Sequence, residues 1–94
     1  MQVSIRGEKN AKFRNILRKA AHFYAKELMH TNLVKNLDVR IRLVPKNKQH
    51  PDNGSCEWDD IDGPPNPRVF NIYIAKGLRK YEKLSTLGHE FVSS

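Results

Sequence analysis

The densest chemistry in the sequence lies near its end, in His89-Glu90-Phe91-Val92-Ser93. A histidine followed at once by glutamate, with a second histidine four residues after the first, is the H-E-x-x-H pattern. Its two imidazoles, one helical turn apart, hold zinc, and its glutamate polarises a metal-bound water. His89 and Glu90 supply the first half of that pattern, but position 93 is serine. At about 100° per residue, positions 89 and 93 lie within about 40° of each other on a helix, with Glu90 about 100° from His89. A histidine at 93 would complete the pair. A neutral hydroxyl is a poor zinc ligand beside imidazole, thiolate or carboxylate. The residues therefore nominate His89 as a metal ligand, Glu90 as a catalytic base and Ser93 as a degenerate ligand position. Equally, they read as a polar pair close to a helix end.

The surrounding segment must be helical for this spacing to matter. Tyr81, Leu84, Leu87, Gly88, Phe91 and Val92 recur with helical period, predicting an amphipathic helix over 81–94 with one stripe on a core. His89 and position 93 border that stripe, where a cleft would open. The run Leu84-Ser85-Thr86-Leu87-Gly88-His89-Glu90-Phe91-Val92 resembles the active-site helix of small zincin-type metallopeptidase-like proteins, phage-encoded ones among them. The likeness covers about ten residues as a motif and the whole chain as an architecture. It implies zinc as cofactor, a peptide or protein as substrate, His89 as ligand and Glu90 as general base. It also implies a second histidine and a downstream third ligand, which the sequence does not carry. The expectation is a zincin-like domain, cut short or diverged within its active-site helix and not a competent peptidase.

Other chemistries find less footing. The five glycines are scattered, so there is no phosphate-cradling loop. Cys56 on a strand reads as a small apolar residue rather than a nucleophile. Cys56 with His22, His30, His50 and His89 lacks the spacing of a structural zinc site. Asp59, Asp60 and Asp62 suggest calcium, but Gly63 comes too early and the terminal glutamate of an EF-hand loop is missing, so the stretch reads as a solvated turn. His50, in a polar loop before proline, and His22, on a solvent face, read as surface residues.

Ninety-four residues suffice for one small domain over 1–94. Hydrophobic content of 38% with 29% charged residues is that of a folded chain. No apolar run reaches the ~20 residues that span a bilayer, so no membrane association is expected. One cysteine and no secretory leader point to the cytoplasm. The net charge of +7 favours anionic partners. Lys12, Arg18, Lys19 and Lys26 fall on the polar face of the first helix and are candidate nucleic-acid contacts, which makes a basic, non-enzymatic binding module the rival reading. An acidic protein would suit that face equally. A further expectation is a homodimer paired through the last helix, two copies of His89 sharing a metal across a two-fold axis.

The scaffold follows from periodicity. Phe13, Ile16, Leu17, Ala20, Ala21, Tyr24 and Leu28 form one arc about 120° wide, predicting a helix over 8–30. Glu27 intrudes on this arc, to be paired with Arg40 or Arg42 or aimed at a cleft near His89. Leu37 to Leu43 alternates strictly, with Val39 and Ile41 toward the helix and both arginines outward. Ser55–Asp59 and Val69–Ala75 read as further strands, and Gly63–Pro67 as a stiff connector. Val3-Ser4-Ile5 reads as a short edge strand or ordered arm. The predicted fold is α+β: an amphipathic helix on a three-stranded, mainly antiparallel sheet with a C-terminal helix beside it.

Overall fold

One β-α-β return and one antiparallel pair of consecutive strands organise the sheet. The computed structural model describes residues 1–59 and 68–94. In chain order these form β1 (Gln2–Arg6), α1 (Ala11–Leu28), α2 (Thr31–Lys35), β2 (Leu37–Val44), β3 (Gly54–Asp59), β4 (Arg68–Ala75) and α3 (Lys80–Ser93). The strands form one four-stranded sheet in the order β1-β2-β4-β3. β1 runs parallel to β2 and β2 parallel to β4, with only β3 antiparallel to its neighbour. The class is α+β as expected, but the three-stranded, mainly antiparallel sheet is corrected to a four-stranded mixed one. Val3-Ser4-Ile5 is a full edge strand. A helix between β1 and β2 returns the chain to the same end of the sheet, which makes parallel pairing natural.

The central positions go to the strands that can be buried. β2 buries Leu37, Val39, Ile41 and Leu43, and β4 buries Phe70, Ile72 and Ile74. β3, with Ser55, Cys56, Glu57 and Asp59, is too polar for the middle and takes an edge. The calcium reading of Asp59, Asp60 and Asp62 and the proline connector lie, but for Asp59, outside the described residues.

α1 begins where the Asn10 side chain accepts from the Phe13 N–H at 3.0 Å, satisfying one of the free amides of the first turn. Its buried stripe is Phe13, Leu17, Ala21 and Ala25, an i, i+4 row, with Ala20 and Tyr24 partly buried beside it. Ile16 and Leu28, expected in this arc, are 48% exposed. The helix also stops at Leu28 instead of His30. Met29 leaves helical geometry, and His30 caps α2, its Nδ1 accepting from Asn32 N–H at 3.2 Å. Glu27 is exposed, while Arg40 pairs with Asp38 at 3.1 Å. Glu27 is therefore neither in the core nor joined to Arg40 or Arg42.

α3 packs beside α1 on the same face of the sheet. Arg79 N–H donates to Glu82 Oε1 at 3.1 Å at its start. The ammonium of Lys83 bonds Glu8 Oε1 at 3.1 Å, both side chains being 13% exposed, and so ties α3 to the segment leading into α1. Burial opposes the charge on Glu8, but the Asn10 N–H and Lys83 outweigh it and hold the carboxyl below its ordinary pKa. Leu87 and Phe91 are buried as the stripe requires, but Tyr81 and Val92 at its margins are 66% and 68% exposed. No helix among the described residues is long and apolar enough to cross a membrane.

Candidate functional site

His89 and Glu90 lie on the penultimate turn of α3, where the helix passes the start of β3. An open groove of ≈ 440 Å³ runs there, lined by Asp52, Asn53, Gly54, Ser85, Thr86, His89 and Glu90. The helix supplies one wall and the loop into β3 the other. His89 is exposed on the groove, whereas Glu90 turns inward and is 5% exposed. A 100° turn of the helix is the cause, since it takes one side chain from the border to the sheet side. Ser93, a turn further on, is exposed.

Gly54 makes the close approach of the two walls possible. A Cβ at that position would sit 2.3 Å from Thr86 Cγ2, 3.0 Å from Glu90 Oε2 and 3.3 Å from the Tyr73 carbonyl oxygen. Only a residue without a side chain lets strand backbone pass so near the carboxylate. Asn53-Gly54 is a turn signal in sequence, but nothing in it announces that the turn faces α3. Asp52, which brings a second carboxylate to the groove, was missed for the same reason.

Cys56 lies one strand residue pair further in, its Sγ 3.8 Å from the Glu90 carbonyl oxygen. Burial, reinforced by the Glu90 charge and hydrogen bond, pushes its thiol up to about 11. The thiol stays protonated at neutral pH, consistent with an unreactive role. Because the folded pKa is raised, the associated stability is complete below the unfolded thiol's pKa and is lost as pH rises toward 11. Alkylation by iodoacetamide at pH 8 is expected to be at least about tenfold slower in the native chain than in urea, since the thiolate is the nucleophile. Cys56→Ala should remove part of the loss of stability between pH 9 and 11, measured by urea titration at each pH.

Of the residues nominated for zinc, His89 offers a single imidazole and Ser93 only a hydroxyl. Among the described residues no three His, Cys, Asp or Glu side chains converge on a point where a metal would sit. Nor is any buried side-chain nitrogen or oxygen among them left without a hydrogen-bond partner.

The remaining candidates are dispersed. Lys12, Lys19 and Lys26 are exposed and Arg18 is half-buried on α1, and none of them lines the groove. His22 is exposed as expected. His50 is not a free surface residue. Its ring stacks on Tyr73 with centroids 4.6 Å apart and planes 24° apart. Known protein families, curated proteins and solved structures yield no match to this chain.

Proposed function

We propose that this chain is a zincin-like, metallopeptidase-type domain in which the groove between β3 and α3 holds an extended peptide that is not hydrolysed. The observation that carries the reading is the placement of His89 and Glu90. They are consecutive on a helix that borders a groove, and the groove opens beside an edge strand. The outer N–H and C=O groups of β3 have no strand partner among the described residues, and an extended segment can pair with such an edge. The polar lining from Asp52, Asn53, Ser85 and Thr86 suits a backbone ligand better than an apolar side chain. Glu90, buried against Gly54, stiffens the inner wall in this reading, and His89 meets the ligand from the helix side.

Serine at 93 is what separates the reading from a working peptidase. Ser93→His would place a second imidazole one turn from His89. Elemental analysis of metal per chain, followed by zinc titration, is the test. The wild type is expected to carry no stoichiometric zinc, and Ser93→His to bind zinc more tightly by about tenfold or more, about 1.4 kcal/mol. Zinc-dependent peptide cleavage by the wild type that disappears in Glu90→Ala would overturn the absence of hydrolysis. Equal, weak zinc binding by both proteins would overturn the zincin-like geometry itself.

A further inference from the structure

Both long helices cover one face of the sheet, and the side chains on its other face form a pattern that neither core nor groove requires. Register places Arg6 of β1 opposite Arg42 of β2, and Arg42 opposite Tyr73 of β4. Register partners point to the same side of a sheet, and neighbouring strands are about 4.8 Å apart, so the three side chains form one row about 10 Å long. This side is opposite to that of Ile41 and Ile72, which are buried under the helices.

We propose that this face of the sheet, opposite α1 and α3, binds single-stranded nucleic acid, Arg6 and Arg42 taking backbone phosphates and the Tyr73–His50 stack taking a base. Like charges directly opposite each other across strands disfavour folding. Arg6 and Arg42 accept that penalty with no carboxylate at ion-pair distance from either among the described residues; the pairs there are Arg40 with Asp38 and Lys83 with Glu8. A phosphate between the two guanidiniums would reverse the sign of the interaction, and guanidinium presents planar donors suited to it.

The acids on this face are largely engaged. Asp38 holds Arg40, and Glu57 accepts from the Tyr73 hydroxyl at 3.0 Å. Asp59 lies opposite Val69, four residues along β4 from Tyr73. The ring of Tyr73 is thus fixed at its hydroxyl by Glu57 and on its face by His50. Burial raises the phenol pKa first, the Glu57 hydrogen bond and charge and the Asp59 charge add to it, and Arg42 works against them. An ordered aromatic stack beside two unpaired arginines is the combination that single strands use: sequence-tolerant base stacking next to phosphate contacts. A paired, stacked base in a duplex cannot lie flat on a sheet, which selects the single strand. The lysines of α1 lie over the other sheet face, where the aromatic pair on the helix, Phe23 and Tyr24, is edge-to-face rather than stacked.

Fluorescence anisotropy with labelled oligo(dT) and oligo(U) between 50 and 200 mM salt tests the proposal on the full chain. Wild type is expected to bind with a salt-dependent affinity, and Arg6→Ala/Arg42→Ala to flatten the slope of log K against log salt by about 1.4, two phosphates at about 0.7 each. Tyr73→Leu should weaken binding about tenfold with the slope unchanged. His50→Ala, a loop substitution away from the core, should act in the same direction if Tyr73→Leu fails to fold. Lys12→Ala/Lys19→Ala/Lys26→Ala should leave the slope near that of the wild type. No binding to either oligonucleotide, loss confined to the lysine variant, or equal binding of a duplex with no effect of Tyr73→Leu or His50→Ala would each overturn it.

Discussion

Gly7→Val is expected to remove a large share of the stability of this domain. Gly7 has φ +88°, in the region that costs an ordinary residue about 1–2 kcal/mol and a β-branched one more. A Cβ there would also lie 2.3 Å from the Leu43 carbonyl oxygen and 3.2 Å from its carbonyl carbon. Those atoms are backbone of the central strand β2, so no side-chain rotation relieves the contact, and either the turn after β1 or the end of β2 must move. Together the two terms predict a loss of about 3–5 kcal/mol, against a total of about 5–15 kcal/mol for a domain. Urea denaturation followed by far-UV circular dichroism would show it as a fall in the midpoint at unchanged m. Gly77→Ala is the internal comparison. Nothing lies within 4 Å of a Cβ at Gly77, so its effect should stay within about 0.5 kcal/mol, or be slightly stabilising through the unfolded chain. A Gly7→Val midpoint equal to that of Gly77→Ala would show that the turn relaxes freely and that β1 is held loosely.

Phe70→Ala is the second large effect. Phe70 is fully buried on β4, stacked on Trp58 at 4.5 Å and edge-to-face with Phe91 at 5.6 Å. Phe91 in turn lies 6.0 Å from Tyr24. The chain of rings therefore joins β3, β4, α3 and α1, and Phe70 occupies its centre. Removing it forfeits the transfer free energy of the ring and leaves a cavity beside Trp58 and Phe91, for an expected loss of about 3–5 kcal/mol. The same substitution at Phe23, 59% exposed on α1, should cost no more than about 0.5 kcal/mol. Since Trp58 packs directly on the lost ring, far-UV circular dichroism is the proper readout for stability, and near-UV ellipticity should report the loosened Trp58. If Phe70→Ala cost less than about 1.5 kcal/mol, the two helices would be held to the sheet chiefly by the aliphatic residues of β2.

Both results bear on the groove. β3 reaches α3 only because Phe70 fills the space behind Trp58 and Gly54 leaves room in front of Glu90. A core variant that moves β3 should therefore alter the groove before it unfolds the domain, and zinc titration of Ser93→His in the Phe70→Leu background would register that movement.

Residue periodicity alone determined a good deal of this protein. Strict alternation in Leu37–Leu43 and in Phe70–Ile74 specified two buried strands and their inward faces, since a period of two leaves only one apolar side. The helical period located α1 and α3 and put Leu87 and Phe91 in the core. His89 borders the groove, as its place beside the apolar stripe implies, but the burial of Glu90 was not legible in the sequence. Only the tertiary structure decided the rest. Strand order depends on which strands bury best beside which partners, so β4 entered between β2 and β3 although β3 comes earlier in the chain. Ile16, Leu28, Tyr81 and Val92 are apolar at the margins of their stripes, and only the packing of the neighbouring elements leaves them exposed. Asp52 and Gly54 meet α3, and Arg6, Arg42 and Tyr73 fall into one row of the sheet, across dozens of residues. Such meetings are set by strand register and packing, which no local spacing in the sequence records.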